Sequence, residues 1–119
     1  YAVGYATATH IYGPWKKSDE NPLFGGYAKN DTTYLFHYGK LEAAPDCPFY
    51  SIGHNQIFTG PDGRLWTSYH GHLKGREKEV TIIDPIELKD GRVITHTPTY
   101  TPQTVEFDSP SSPQADIRP

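Results

Sequence analysis

An all-β fold of short strands is what this sequence predicts, on three observations. Aromatics are plentiful at 13%, nine of them tyrosines, while hydrophobic content is only 35%. Glycine and proline supply 11 residues each, so turns are frequent. No long window places apolar residues at helical spacing. Short β-branched and aromatic runs between turn signals suit a sandwich, barrel or propeller, and composition does not choose among them. At 119 residues the chain is long enough for one ordinary domain and too short for two.

Residues 1–9 alternate large Tyr1, Val3 and Tyr5 with small Ala2, Gly4 and Ala6, a period-two strand with one filled face. Gly13-Pro14-Trp15 breaks it. Residues 16–21 are polar and expected to be exposed, and Pro22-Leu23-Phe24 restarts an apolar run. Residues 25–31 read as a loop, 32–38 as a β-branched and aromatic strand, and 40–48 as an extended connection. The strongest signal is the stretch 51–69, two strand-like runs around Pro61-Asp62-Gly63. Proline presets φ for the first turn position and glycine tolerates the positive φ of a tight return. Gly53-His54-Asn55 stands at the entry of this hairpin and His70-Gly71-His72 closes it. Residues 77–83 alternate as a strand that continues through 83–88 around Pro85, which predicts a bulge or an edge position. Lys89-Asp90-Gly91-Arg92 is a further hairpin turn, with 93–97 pairing back. The Pro-, Ser-, Thr- and Gln-rich tail from Pro98 cannot bury enough apolar surface to fold alone. Its first part is expected to lie along the body, and its end past Asp108 to be mobile. The body is therefore bounded at 1–103 and the tail at 104–119.

Composition also excludes classes of partner. The formal net charge is −3, and no basic cluster interleaves with aromatics, which argues against nucleic acid. No apolar run is long enough to make a membrane-spanning helix. The single cysteine, Cys47, excludes an internal disulfide and reads as a buried small hydrophobe. The sequence opens on Tyr1, inside a strand and without a signal peptide, so the expectation is a processed chain or a piece of a longer one.

Five segments in order carry a resemblance. They are Y-A-V-G-Y-A-T-A followed by G-P-W at Gly13 to Trp15; E-N-P-L at Glu20 to Leu23; and G-H-N at Gly53 to Asn55. P-D-G-R-L-W then Y-H follows at Pro61 to His70, and last comes G-R-E at Gly75 to Glu77 with the I-D-P-I strand and D-G-R turn. Together they resemble the C-terminal part of glycoside hydrolase family 43, whose members are five-bladed β-propellers acting on arabinose- and xylose-containing polysaccharides. The resemblance spans about residues 1–103. It implies a partial propeller of about two blades. Residues 26–50 are longer than the connection the family pattern places before G-H-N, and read as a loop shaping the cleft. Such enzymes invert. One carboxylate activates water, a carboxylic acid protonates the leaving oxygen, and a further aspartate tunes the acid. In the family these lie on earlier blades, before the segment resembling Tyr1. No catalytic carboxylate is therefore expected here, and Asp62, Asp84 and Asp90 read as structural.

The resemblance implies instead that this chain supplies cleft residues. His54 is expected near the propeller axis, touching substrate or a bound metal, commonly calcium with water filling its shell. One nitrogen among oxygen ligands makes a weak site, and the plainer alternative is an imidazole bonded to a backbone carbonyl. Arg76 offers a planar fork of donors to the innermost sugar; the plainer alternative is a surface salt bridge. Tyr69 and His70 are candidate cleft residues as well. Trp15, Trp66 and Tyr5 could stack on sugar faces, though in-strand aromatics are commonly core, and Trp66 reads as packing. His70 and His72 share a strand face, but no third metal ligand is evident. Two blades alone leave open faces and edges, so the expected partner is a chain carrying the missing N-terminal blades, or copies of the same chain. The resemblance further implies an extracellular or periplasmic location. A non-catalytic, oligomeric sugar-binding propeller is the alternative function.

Overall fold

The computed structural model describes residues 1–76 and 78–107, an all-β body with no helix among them. Ten strands follow in order: β1 (Ala2–Val3), β2 (Ala6–Thr7), β3 (Lys16–Lys17), β4 (Phe24–Lys29), β5 (Thr32–His37), β6 (Lys40–Ala44), β7 (Phe49–Thr59), β8 (Leu65–Leu73), β9 (Glu79–Lys89) and β10 (Arg92–Thr95). Eight form one antiparallel sheet in the order β10-β9-β8-β7-β4-β5-β6, with β1 also on β4, while β2 and β3 pair separately. The large sheet curls into a half-barrel.

It is built of two meanders. Strands β7 to β10 each pair with the next, as do β4 to β6. The two groups meet in one register pair, Gly26 with Ile52. Three of the connections are two-residue turns with both residues at positive φ: Asn30-Asp31 (51° and 65°), Tyr38-Gly39 (48° and 81°) and Asp90-Gly91 (51° and 76°). Such turns match the right-handed twist of the strands they join. A tyrosine is unusual there, and Tyr38 is held by its hydroxyl, which donates to Thr95 O and accepts from Thr95 N, both at 3.0 Å.

The hairpin around Pro61-Asp62-Gly63 forms as its sequence predicts, closed by Gly60 N donating to Arg64 O at 2.7 Å. The Lys89-Asp90-Gly91-Arg92 turn forms too, and Pro85 occupies the edge alternative. It pairs with Trp66 on β8, but β10 reaches only as far as Ile86 along β9. Four expectations are corrected. Residues 25–31 are mostly strand, because Asn30-Asp31 is the turn and the glycines before it lie within β4. Residues 40–44 are the edge strand β6 rather than an irregular connection, so the stretch 26–50 read as a loop shaping the cleft is mostly the β4–β5–β6 part of the large sheet. Residues 1–9 are not one strand. The segment divides at Gly4, with β1 going to the large sheet and β2 to β3; Tyr1 is exposed, while Val3 and Tyr5 pack on the core.

The core gathers Leu23, Phe24, Leu35, Cys47, Phe49, Ile52, Tyr69 and Ile82 from β4, β5, β7, β8, β9 and the segments beside them. Cys47 is buried as its sequence reading anticipates. The segment after β10 lies along the body through Thr99, Tyr100 and Gln103. The end of the tail past residue 107 falls outside the described residues, as does Glu77.

Candidate functional site

The Gly53-His54-Asn55 segment sits where the β7–β8 ladder slips. Gly53 faces His70 and the next matched pair is Gln56 with Ser68, so His54 and Asn55 together oppose the single residue Tyr69. This is a β-bulge, a device that re-aims a side chain. His54 takes φ of 57°, in the left-handed region that few residues other than glycine adopt, histidine more often than most. The bulge leaves His54 exposed, while the Asn55 amide turns toward the Thr67 hydroxyl at 3.4 Å.

Two further rings complete a cluster. His70 lies 6.2 Å from His54, centroid to centroid. Tyr1 stands edge-on to His70 at 4.8 Å and lies 6.4 Å from His54. Tyr1 is placed by the sheet: its carbonyl accepts from Gly26 N at 3.0 Å, and its own Cβ rests against Gly53, where an added Cβ would come within 2.5 Å of it. Gly53 is thus glycine because a tyrosine lies over it. The result is an open face of two imidazoles and a phenol, able to hydrogen-bond hydroxyl groups and to present a ring edge or face to an apolar CH surface.

Of the residues singled out in the sequence, the structure brings His54 and His70 together and separates the other two. Tyr69 alternates to the opposite face of β8, lies in the core, and hydrogen-bonds Asp84. Arg76 is exposed in the turn after β8, its backbone N donating to Leu73 O at 3.3 Å. His72 shares the His70 face but lies near Tyr50, 6.5 Å away. Trp66 is core, with Gly60 closed over its indole, and Trp15 is 59% exposed. Tyr5 is half-buried, its hydroxyl accepting from Val93 N at 3.4 Å. Tyr1 was the member missed. No sequence signal could have shown it, because it reaches the cluster through the β1–β4 register.

No group of three His, Cys, Asp or Glu side chains able to hold a metal occurs among the described residues. Around His54 the ring donors are nitrogen and phenol, whereas calcium takes six to eight oxygens, so this chain's residues alone do not make a calcium cage.

The three aspartates singled out above are engaged structurally. Asp62 Oδ1 accepts from Arg64 N at 3.0 Å within its turn, and Asp90 occupies a turn at positive φ. Asp84 is fully buried and accepts from the Tyr69 hydroxyl, from Thr99 N at 3.0 Å and from Gln103 Nε2 at 2.9 Å. Burial, and then the bond to Asp84, pushes the Tyr69 hydroxyl far above the ordinary tyrosine range. A group whose folded pKa is raised stabilises fully below its unfolded pKa, and that contribution is lost as pH rises beyond it. Stability should therefore fall steadily above about pH 10, the ordinary tyrosine value. In an alkaline titration followed by ultraviolet difference absorbance, Tyr69 should ionise only together with loss of the β circular dichroism signal. Complete tyrosine ionisation in a still-folded chain would contradict this.

Neither a scan of protein-family models nor searches of curated proteins and of solved structures find a match to this chain.

Proposed function

We propose that this chain forms about two blades of a five-bladed β-propeller of the family 43 type, and is part of a glycoside hydrolase acting on arabinose- or xylose-containing plant polysaccharides or oligosaccharides. In this reading it supplies cleft residues to an inverting reaction whose carboxylates lie on another chain. The observation that carries it is the β7 bulge, which sets His54 of the Gly-His-Asn segment beside His70 of the Tyr-His segment on one open face. The four-stranded meander β7 to β10 has the strand count and order of a propeller blade, which supports the reading. His54, His70 and Tyr1 would face the sugar, with Arg76 approaching from the next turn. Tyr69 would support that face from the core. A calcium ion at the axis would be held chiefly by water and by groups from the rest of the ring, with His54 at its margin. The missing blades would come from a second chain or from further copies, in an extracellular or periplasmic setting.

Turnover tests this. The purified chain alone should release no arabinose or xylose from aryl arabinofuranosides and xylosides, because it lacks the acid and the base. Its complex with the blades that carry them should do so, and His54→Ala in that complex should reduce kcat/KM by about tenfold to a hundredfold, the loss of one or two hydrogen bonds to substrate. Sustained turnover by the chain alone would contradict the proposal. Exposed Trp15 favours a second reading, an oligomeric sugar-binding propeller without catalysis. Xylo- or arabino-oligosaccharide binding without turnover in any assembly would support it.

A further inference from the structure

After β10 the chain leaves the sheet, yet it does not leave the body. Thr97 is fully buried, its hydroxyl bonded to that of Thr95. Two residues on, Thr99 N reaches Asp84 Oδ2, and Gln103 reaches the other oxygen of the same carboxylate. Between them Tyr100 lies against Phe49, ring centroids 6.1 Å apart. Tyr100 is 43% exposed, and its hydroxyl is pushed above the usual tyrosine range, by partial burial first and then by the neighbouring Cys47 thiol.

These contacts differ in kind from those holding the sheet. None of them is a ladder pair. A groove of about 360 Å³ lies between this segment and β9, lined by Phe49, Val80 and Ile82 on one side and by Thr99, Tyr100 and Pro102 on the other. The segment therefore rests on its polar clasp more than on close packing. Two of the three donors to the buried Asp84 belong to it, while the third, Tyr69, belongs to the sheet.

We infer that residues 97–103 are a strap latched by Asp84, which opens as a unit while the sheet beneath stays paired. Opening turns Asp84 to water, lifts Tyr100 off Phe49, the residue whose carbonyl the Cys47 thiol bonds, and bares the apolar row Phe49, Val80 and Ile82. Local openings of this kind cost less than global unfolding wherever backbone pairing is absent. This inference does not depend on the propeller reading.

Cys47 is a built-in reporter, being the one cysteine and 1% exposed. The test is the rate of its reaction with an aromatic disulfide reagent, in water and at low urea, for the whole chain. In the unaltered chain the thiol should react far more slowly than in urea-unfolded chain. Gln103→Ala removes one bond to a carboxylate and leaves the Cys47 thiol's own bond to Phe49 O in place, so it should speed labelling about tenfold. Global unfolding of that variant, followed by circular dichroism, should shift much less than the labelling rate does. Asp84→Asn serves as the second variant and should speed labelling further. Its circular dichroism separates strap release from unfolding. Labelling that changes only in step with global stability in Gln103→Ala would overturn the strap, as would a thiol that reacts freely in the folded unaltered chain.

Discussion

Gly25→Val should unfold the β1 side of the molecule and lower global stability by about 3 kcal/mol or more, from strain and overpacking together. Gly25 has φ of 147°, outside the range of L side chains, and an added Cβ would lie 2.5 Å from both Ala2 Cα and Tyr1 O. Both atoms are backbone and cannot swing away. The Ala2–Gly25 and Val3–Phe24 pairs would be lost, and Tyr1 with them. The effect thus reaches the candidate site: with β1 undocked, Tyr1 no longer lies over Gly53 or against His70. A urea midpoint measures the stability loss, and the ring-current shifts of the His70 imidazole protons measure the departure of Tyr1. A destabilisation below about 1 kcal/mol, the scale of an ordinary surface change, would mean that β1 does not dock as described.

Asp84→Ala should be comparably severe, at about 3–5 kcal/mol. The carboxylate is the shared acceptor of a buried hydroxyl, a backbone N–H and a side-chain amide. Removing it leaves donors unsatisfied, each costing about 1–3 kcal/mol where water cannot reach it. Against a typical total stability of about 5–15 kcal/mol, one such change removes a large share. Asp84→Asn keeps a carbonyl oxygen for one donor and should cost less. The difference in urea midpoint between the two variants reports how much of the loss is acceptor chemistry. Equal and small effects would show that strap and hydroxyl are held by something else.

The contrast with the one ion pair among the described residues is instructive. Arg92 Nη2 and Glu20 Oε2 are 2.7 Å apart, and Arg92 holds the Glu20 carboxyl below the usual carboxylate range. Both side chains face solvent, where such pairs contribute little. The buried aspartate, with uncharged donors only, governs far more of the structure.

How much of this was legible in the sequence depended on where the information lay. Turn chemistry was local, so Pro61-Asp62-Gly63 and Asp90-Gly91 marked their hairpins directly. The β4 strand was obscured because Gly25 and Gly26 resemble loop residues. They are glycine for a long-range reason, the close approach of Tyr1 and Ala2 at Gly25 and of Leu35 and Tyr34 at Gly26. The edge strand β6 carries mostly exposed side chains, Leu41 among them, and so shows no alternation to read. At the candidate site, Gly53-His54-Asn55 announced an aimed histidine, but the bulge that aims it follows from register with β8. Tyr69 and His70 looked equivalent as neighbours, yet strand alternation sends one to the core and the other to the open face. Asp84 appeared only as a residue before a proline, since its donors come from β8 and from 15 and 19 residues further along.

If this chain supplies cleft residues to a propeller as proposed, it completes its fold and its chemistry only within a larger ring. The native mass of the purified material, by mass spectrometry under non-denaturing conditions, decides between a ring and a lone chain. A species well above 13.4 kDa is expected, either with a second polypeptide whose sequence holds the missing carboxylates or as a closed ring of copies. A folded species at 13.4 kDa and nothing larger, across concentrations up to the micromolar range, would contradict it.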